Sequence, residues 1–287
     1  MTALATTPTA SQQLRLRQLA RWWPVGLIAL FVLAAIFAPL IAPYDPNSQN
    51  LIARLKPPGT VSRAFHYWLG SDELGRDLLS RIIYGARASL LVAFVSVLLS
   101  GTVGVAAGMI AGYRRGLAEL VIMRIVDVFL SIPAILLAII TVAVLGPSLL
   151  NVILVLALTR WPRYARVAYG QTLAVANMPY VRLSALMGAS VFRVLGVHIL
   201  PNIIGAVSVV ATLEFGLMVL FEAGLSFLGL GVQPPTASWG AMLSTGRNYI
   251  AIAWWAATFP GLSLFCLVLA VNLVGDAVRD RLDPRAQ

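Results

Sequence analysis

The chain has 287 residues, 59% of them hydrophobic and only 11% charged, where an average soluble domain has roughly 45–50% and about 25%; this excludes a purely soluble fold and makes a bilayer the solvent for much of the chain. Its net charge of +10 would suit nucleic acid if the cations lined one polar face, but the arginines stand between apolar runs, where they report membrane topology instead. Cys266 is the only cysteine and His66 and His198 lie far apart, so an internal disulfide is excluded and no Cys/His cluster marks a metal site.

Residues 1–20 read as a loose polar tail carrying Arg15 and Arg17. Arg21-Trp22-Trp23 leads into an apolar run from Pro24 to Ala42. That run exceeds the ~7–15 residues of a signal-peptide core, so it reads as a retained anchor with tryptophans at the interface. A long polar loop follows over 43–87. Its second half, Gly70 to Ile83, is expected to form an amphipathic helix at the membrane surface. Ser71 would cap it, Asp72 and Glu73 would suit its positive end, and Leu74, Leu78 and Ile82 would make one apolar stripe.

Further apolar runs cover Ala88 to Ala111, Val128 to Leu145, Leu149 to Trp161, Ile203 to Leu230 and Ile250 to Val274. With about 20 residues needed per crossing, these and the first anchor predict an all-α integral membrane protein of six transmembrane helices. The fourth run is short before Arg160 and is expected to continue as a helix through Arg163 and Arg166. If the N-terminus is cytoplasmic, the inner segments hold 14 of the 21 Lys and Arg residues and the outer segments 7. The positive-inside rule then places both termini in the cytoplasm. The expected organisation is a tail over 1–23, an anchor with its outer loop over 24–87, a membrane core over 88–276 and a second tail over 277–287.

The stretch between the fourth and fifth runs, roughly 162–201, is too polar to cross a bilayer and has helical features of its own. Pro179 suits the first turn of a helix that runs to Met187. Gly188 can take a positive φ and end it. Ser190 is placed to cap a second helix from Val191 to Ile199, and Pro201 opens the next span. The result is a compact helix–turn–helix on the cytoplasmic side.

Several groups inside the apolar runs call for a role. Arg124 and Asp127 read either as an i,i+3 ion pair anchoring the third span or as a gate contact. Glu214 and Glu222 lie in the fifth run, where an acid costs ~2.5–3.5 kcal/mol on insertion scales. Each should therefore face a translocation path, a partner subunit or the interface. Pro133 and Pro260-Gly261 interrupt spans as fixed kinks or as gating hinges. Trp254 and Trp255 are expected as interfacial anchors. No Gly-x4-Gly-Lys-Ser/Thr loop occurs, so nucleotide is not bound by that route, and no nucleophile–base constellation is present.

Gly188, nine residues, then His198-Ile199-Leu200-Pro201 resembles the Glu-Ala-Ala…Gly…Ile-x-Leu-Pro loop of ABC importer permeases. In that family the loop forms a coupling helix that docks in a groove of the ATP-hydrolysing subunit. Here the Glu-Ala-Ala positions read Arg182-Leu183-Ser184, and the Ile position is His198. Leu69 to Arg81, Tyr84 to Arg87, Met123 to Asp127, His198 to Asn202, Leu225 to Pro235, Ser238 to Met242, Gly275 to Asp280 and Leu282 to Pro284 resemble the C-type permease subunit of dipeptide and oligopeptide importers.

The resemblance implies a type I ABC importer permease fold in the bacterial inner membrane. It implies a coupling loop at about 178–201 built on Arg182, Leu183, Ser184, Gly188, His198, Leu200 and Pro201. Arg182 is then either a solvated charge beside the docking surface or the partner of an acid on the ATPase. It further implies a second homologous permease, two ATP-binding subunits and an extracytoplasmic substrate-binding protein as partners. The chain itself is expected to bind no cofactor and no nucleic acid, with ATP and Mg used by the partner ATPases. Similar permeases carry glutathione, nickel complexes or sugars. A secondary transporter is the alternative from another class, and it would need a denser set of intramembrane charges.

Overall fold

A computed structural model describes residues 10–62 and 65–282. Residues 1–9 of the expected tail, Arg63 of the polar loop, and Asp283-Pro284 and Arg285 at the end of the chain lie outside the described residues. Helix α1 (Ala10–Ile36) starts within the stretch expected to be loose and runs unbroken through Pro24 into the apolar anchor. One further turn, α2 (Ala38–Ile41), leads into the polar loop. There β1 (Thr60–Ser62) pairs antiparallel with β2 (Phe65–Tyr67), Thr60 opposite Tyr67.

The amphipathic helix expected over Gly70 to Ile83 does not form before Leu78. Its polar residues are engaged elsewhere. The Asp72 carboxylate takes the amides of Leu74 and Arg76 and the guanidinium of Arg76 at 2.6 Å, and Arg81 approaches the same oxygen at 3.4 Å. Ser71 accepts from the Lys56 amide and donates to the Ala53 carbonyl. Gly75, at φ +71°, passes so close to the Asn50 carbonyl that a Cβ would lie 1.8 Å from its oxygen. The segment is thus a stapled turn, and Asp77, not Ser71, caps the helix by accepting from the Ser80 amide at 2.8 Å. Burial pushes the Asp77 carboxyl up from its ordinary range.

That helix, α3 (Leu78–Arg114), is 37 residues long, about 55 Å at 1.5 Å per residue. Leu78 and Ile82 sit in the core, so the expected surface stripe is the buried first turns of a span. After a turn at Arg115, α4 (Gly116–Ser131) and α5 (Ala134–Leu145) meet at 90°. The run expected as one span from Val128 to Leu145 is therefore bent in two. Pro133 supplies the break, since it lacks an N–H and disfavours helical backbone at Ile132.

Helix α6 (Leu149–Ala176) runs through Arg160, Arg163 and Arg166 without interruption, as read from the sequence. It lies along α3 at very short range. A Cβ on Gly104 would meet the Trp161 carbonyl at 2.4 Å, and one on Gly108 the Ala165 carbonyl at 2.4 Å. Lipid tails are as apolar as the helices, so close backbone packing of small residues replaces the hydrophobic effect as the force between spans.

Then come α7 (Pro179–Leu186), the short α8 (Val191–Arg193), a π-helical segment over Val194–Ile199 and α9 (Leu200–Phe227). Val191 to Phe227 is one continuous helix. Pro201 sits in the first turn of α9, as expected from the sequence, but the π turn before it joins that helix to α8 without a break. Last are α10 (Trp239–Gly246), capped by Ser238, and α11 (Trp255–Leu282), which Pro260 does not interrupt.

Trp239 is fully buried, donates from Nε1 to the Ile82 carbonyl at 2.9 Å and meets Phe31 edge-on. Trp255, expected at the interface, is buried as well and donates to the Ser71 carbonyl, stapling the polar loop to α11. Trp254 is half exposed. Among the described residues, three helices, Leu78–Arg114, Val191–Phe227 and Trp255–Arg281, are long and apolar enough to cross a membrane, four if the bent α4–α5 pair counts as one span.

Candidate coupling surface and ion pairs

The segment between α6 and α9 forms the helix–turn–helix expected of it. Pro179 occupies the first turn of α7, where its missing donor is harmless. Gly188 ends the helix at φ +86°. Its amide reaches the Ala185 carbonyl and the Ala189 amide reaches the Ser184 carbonyl, both at 3.1 Å, which is the double bond of a Schellman turn. Ser190 then caps the returning helix through the Arg193 amide.

The two arms of this turn are joined at their base. Ser184 Oγ and His198 Nε2 share a hydrogen bond at 3.0 Å. The Tyr180 ring packs edge-on against His198, and Asn202 donates to the Tyr180 hydroxyl at 3.0 Å. Val181, Val194, Ile199 and Ile203 are buried beneath them. The tip is the opposite. Leu186, Met187 and Phe192 are 83%, 87% and 88% exposed, on either side of the Gly188 turn. Leu183 is also exposed, and Arg182 lies in the open, donating to Asn177 Oδ1 at 2.7 Å. Leu200 and Pro201 belong to the first turn of α9. Of the residues singled out in the sequence, the fold therefore brings together Ser184 and His198 at the base, sets Gly188 in the turn at the tip and leaves Arg182 and Leu183 exposed.

Between residues 78 and 275 the sequence holds only four acids, Glu119, Asp127, Glu214 and Glu222, and each has a partner. Glu214 and Glu222, read as facing a path, a partner subunit or the interface, are both buried within this subunit. Glu214 accepts from Arg163 Nη1 at 2.9 Å and pairs with Arg160 Nε at 2.8 Å; Arg160 also lies over the Phe221 ring. A charge at membrane depth needs such pairing, because desolvation outweighs what an isolated carboxylate can recover. Among the described residues, Glu222 joins no salt bridge. Ser89 and Ser226 each donate a hydroxyl to it at 2.8 Å.

Asp127 does not pair with Arg124 three residues away. Arg166 reaches it from α6, and Tyr169 of the same helix reaches Glu119. These two pairs and Arg124 line a recess of about 410 Å³ between α4 and α6. The interhelical partners Arg160, Arg163 and Arg166 were not singled out in the sequence. Their three-residue spacing on a helix leaving an apolar run was the available signal, since cations so placed must find acids.

Residues 104–287 match the family described as Binding-protein-dependent transport system inner membrane component, and residues 25–58 match the N-terminal TM domain of oligopeptide transport permease C. A di/tripeptide transport system permease protein of Pseudomonas aeruginosa is 46% identical over 257 residues, covering 89% of this chain and 85% of the relative. A probable D,D-dipeptide transport system permease protein of Escherichia coli is 43% identical, covering 91% and 86%. A glutathione transport system permease protein of Pectobacterium atrosepticum is 42% identical, covering 91% and 85%. Among solved structures, an inward-facing methionine ABC transporter superposes with a TM-score of 0.56 at 21% identity, covering 70% of this chain and 96% of that one. At that identity the likeness is one of fold.

Proposed function

The chain belongs to the family of binding-protein-dependent transport system inner membrane components, and from that premise we propose that it is a translocating subunit of an ATP-driven importer of dipeptides and related short peptides. Relatives named for di- and tripeptides and for D,D-dipeptides, at 46% and 43% identity, support the substrate class. In this reading the chain crosses the inner membrane six times, by α1, α3, the bent α4–α5 pair, α6, α9 and α11, with both termini in the cytoplasm. The excess of basic residues on the inner segments supports that orientation. A second permease, two ATP-binding subunits and an extracytoplasmic binding protein complete the importer. ATP and Mg act on the ATPases.

The observation that carries the reading is the apolar tip of the coupling segment. Three large apolar side chains more than four-fifths exposed around one turn mark a surface that another protein covers. Seated in a groove of the ATPase, Leu186, Met187 and Phe192 would be desolvated together. A pull on the tip then reaches the membrane by a short route. The Schellman turn and the Ser184–His198 contact make the tip rigid, and Val191–Phe227 is one helix. Motion of the tip is therefore motion of α9, and the Glu214 pairs pass it to α6.

The test is co-purification of the ATPases with Met187→Glu and Phe192→Glu variants. Both should insert normally, lose the ATPases and lose transport. Wild-type recovery of the ATPases with both variants would contradict the docking role.

A further inference from the structure

At the end of the bundle that carries the 43–77 loop, α1 and α3 leave between them a groove of about 550 Å³. Ile28, Val32 and Ile36 of α1 wall one side and Leu91 and Phe94 of α3 the other, with Phe215 of α9 also in the lining. These positions recur at helical spacing, so each wall is one continuous apolar face. From Ile28 to Ile36 the groove follows α1 for about 12 Å at 1.5 Å per residue. That is most of the ~15 Å that half of a ~30 Å hydrocarbon layer offers.

One charged residue stands in this lining. Arg87 lies where the apolar run of α3 begins and is exposed. It joins no salt bridge among the described residues. Arg87 and Leu91 also border a second cleft of about 710 Å³ with a mixed lining, whose polar groups include Tyr44, Asp45, Asn47 and Tyr84. The Asp45 carboxylate in that cleft is turned to the Asn47 amide. The two cavities therefore meet at Arg87, one apolar apart from it and the other with polar groups of the loop in its lining.

Water suits Arg87 but not the groove, and an apolar helix suits the groove but not Arg87. A molecule with an acyl chain under an anionic headgroup satisfies both halves at once. We propose that α1, α3 and Arg87 form a binding site for an anionic phospholipid. Its chain fills the groove and its phosphate takes the guanidinium as a charge-assisted partner. The lipid is then a packing element that holds the anchor helix to the bundle.

The test uses the assembled transporter, exchanged into detergent with phosphatidylglycerol or with phosphatidylcholine of the same chains. Native mass spectrometry counts the lipids that stay on this subunit. Wild type should retain phosphatidylglycerol in preference to phosphatidylcholine. Arg87→Gln should lower that retention roughly fivefold, as expected for one basic contact near the surface, and erase the preference, whereas Arg87→Lys keeps it. Leu91→Trp, which fills the groove, should remove both lipids. A photo-cross-linker at Val32 should gain the mass of a phospholipid. Equal retention in wild type, Arg87→Gln and Leu91→Trp would overturn the proposal, as would cross-linking from Val32 to the second permease.

Discussion

Ser184 and His198, fourteen residues apart in the chain, share a hydrogen bond at 3.0 Å across the base of the turn at Gly188. The bond ties α7 to the π-helical segment that enters α9, so under the proposed function it sits where a pull on the tip would pass. Its net worth is about 0.5–1.5 kcal/mol, too little to hold the fold and enough to bias a moving joint. Ser184→Ala and His198→Ala are therefore expected to leave insertion and ATPase binding intact while lowering transport per ATP hydrolysed several-fold. His198→Gln, which can restore the bond, should recover part of the loss. Unchanged coupling in both alanine variants would remove this contact from the transmission route.

The buried Glu214 gives a second expectation. Arg160, buried beside it, depends on it for compensation, while Arg163 is half exposed, and removing one member of a buried pair costs about 3–5 kcal/mol. Glu214→Ala should therefore reduce folded subunit in the membrane and lower its thermal midpoint. Replacing Glu214 and Arg160 together by Gln and Met should restore much of the stability. Were Glu214 a path-lining acid, Glu214→Ala would instead keep full stability and lose transport alone.

The α3–α6 contact supplies a third test. Gly108→Leu drives a side chain into the Ala165 carbonyl. In a close-packed interface such overpacking costs about 1–3 kcal/mol, more where backbone must move. Gly170, on α6 with open space around it, is the control. Gly170→Ala should be neutral or stabilising by roughly 0.5–1 kcal/mol. Thermal midpoints of the purified transporter decide the comparison.

How much of this was legible in the sequence depended on range. Pro179, Gly188 and Ser190 act on backbone within a few residues of themselves, and the helix–turn–helix came out where their chemistry put it. Ser71 and Asp72 carried the same kind of signal and misled. Their partners, Ala53, Arg81 and Trp255, come from elsewhere in the chain and hold the segment as a turn. Pro133 marked a break but carried no information on its 90° angle. The Arg124–Asp127 pair failed for a related reason: α6 brings Arg166 to Asp127, and helix–helix facing is not written in the spacing of either strip.

Asp77 yields a pH expectation. Its carboxyl is raised from the ordinary range chiefly by burial, and its Oδ1 is buried without a hydrogen-bond partner. A raised value in the folded state means that ionisation is penalised there. The stability this group contributes is present at low pH and lost as pH rises past the unfolded value, ~3.9 for Asp. Asp77→Asn keeps a good cap without the ionisation. Its thermal midpoint should therefore gain on wild type as pH is raised from about 4 to 7. A difference that stays flat or shrinks over that range would contradict the assignment.

The central claim is that this subunit moves peptides only when ATPases drive it through the coupling tip. The direct measurement is uptake of a labelled dipeptide into proteoliposomes holding the permease pair, with and without the ATP-binding subunits, binding protein and ATP. The account predicts uptake only with the complete set and ATP, and none from the permeases under an imposed proton or sodium gradient. Gradient-driven uptake by the permeases alone would contradict it.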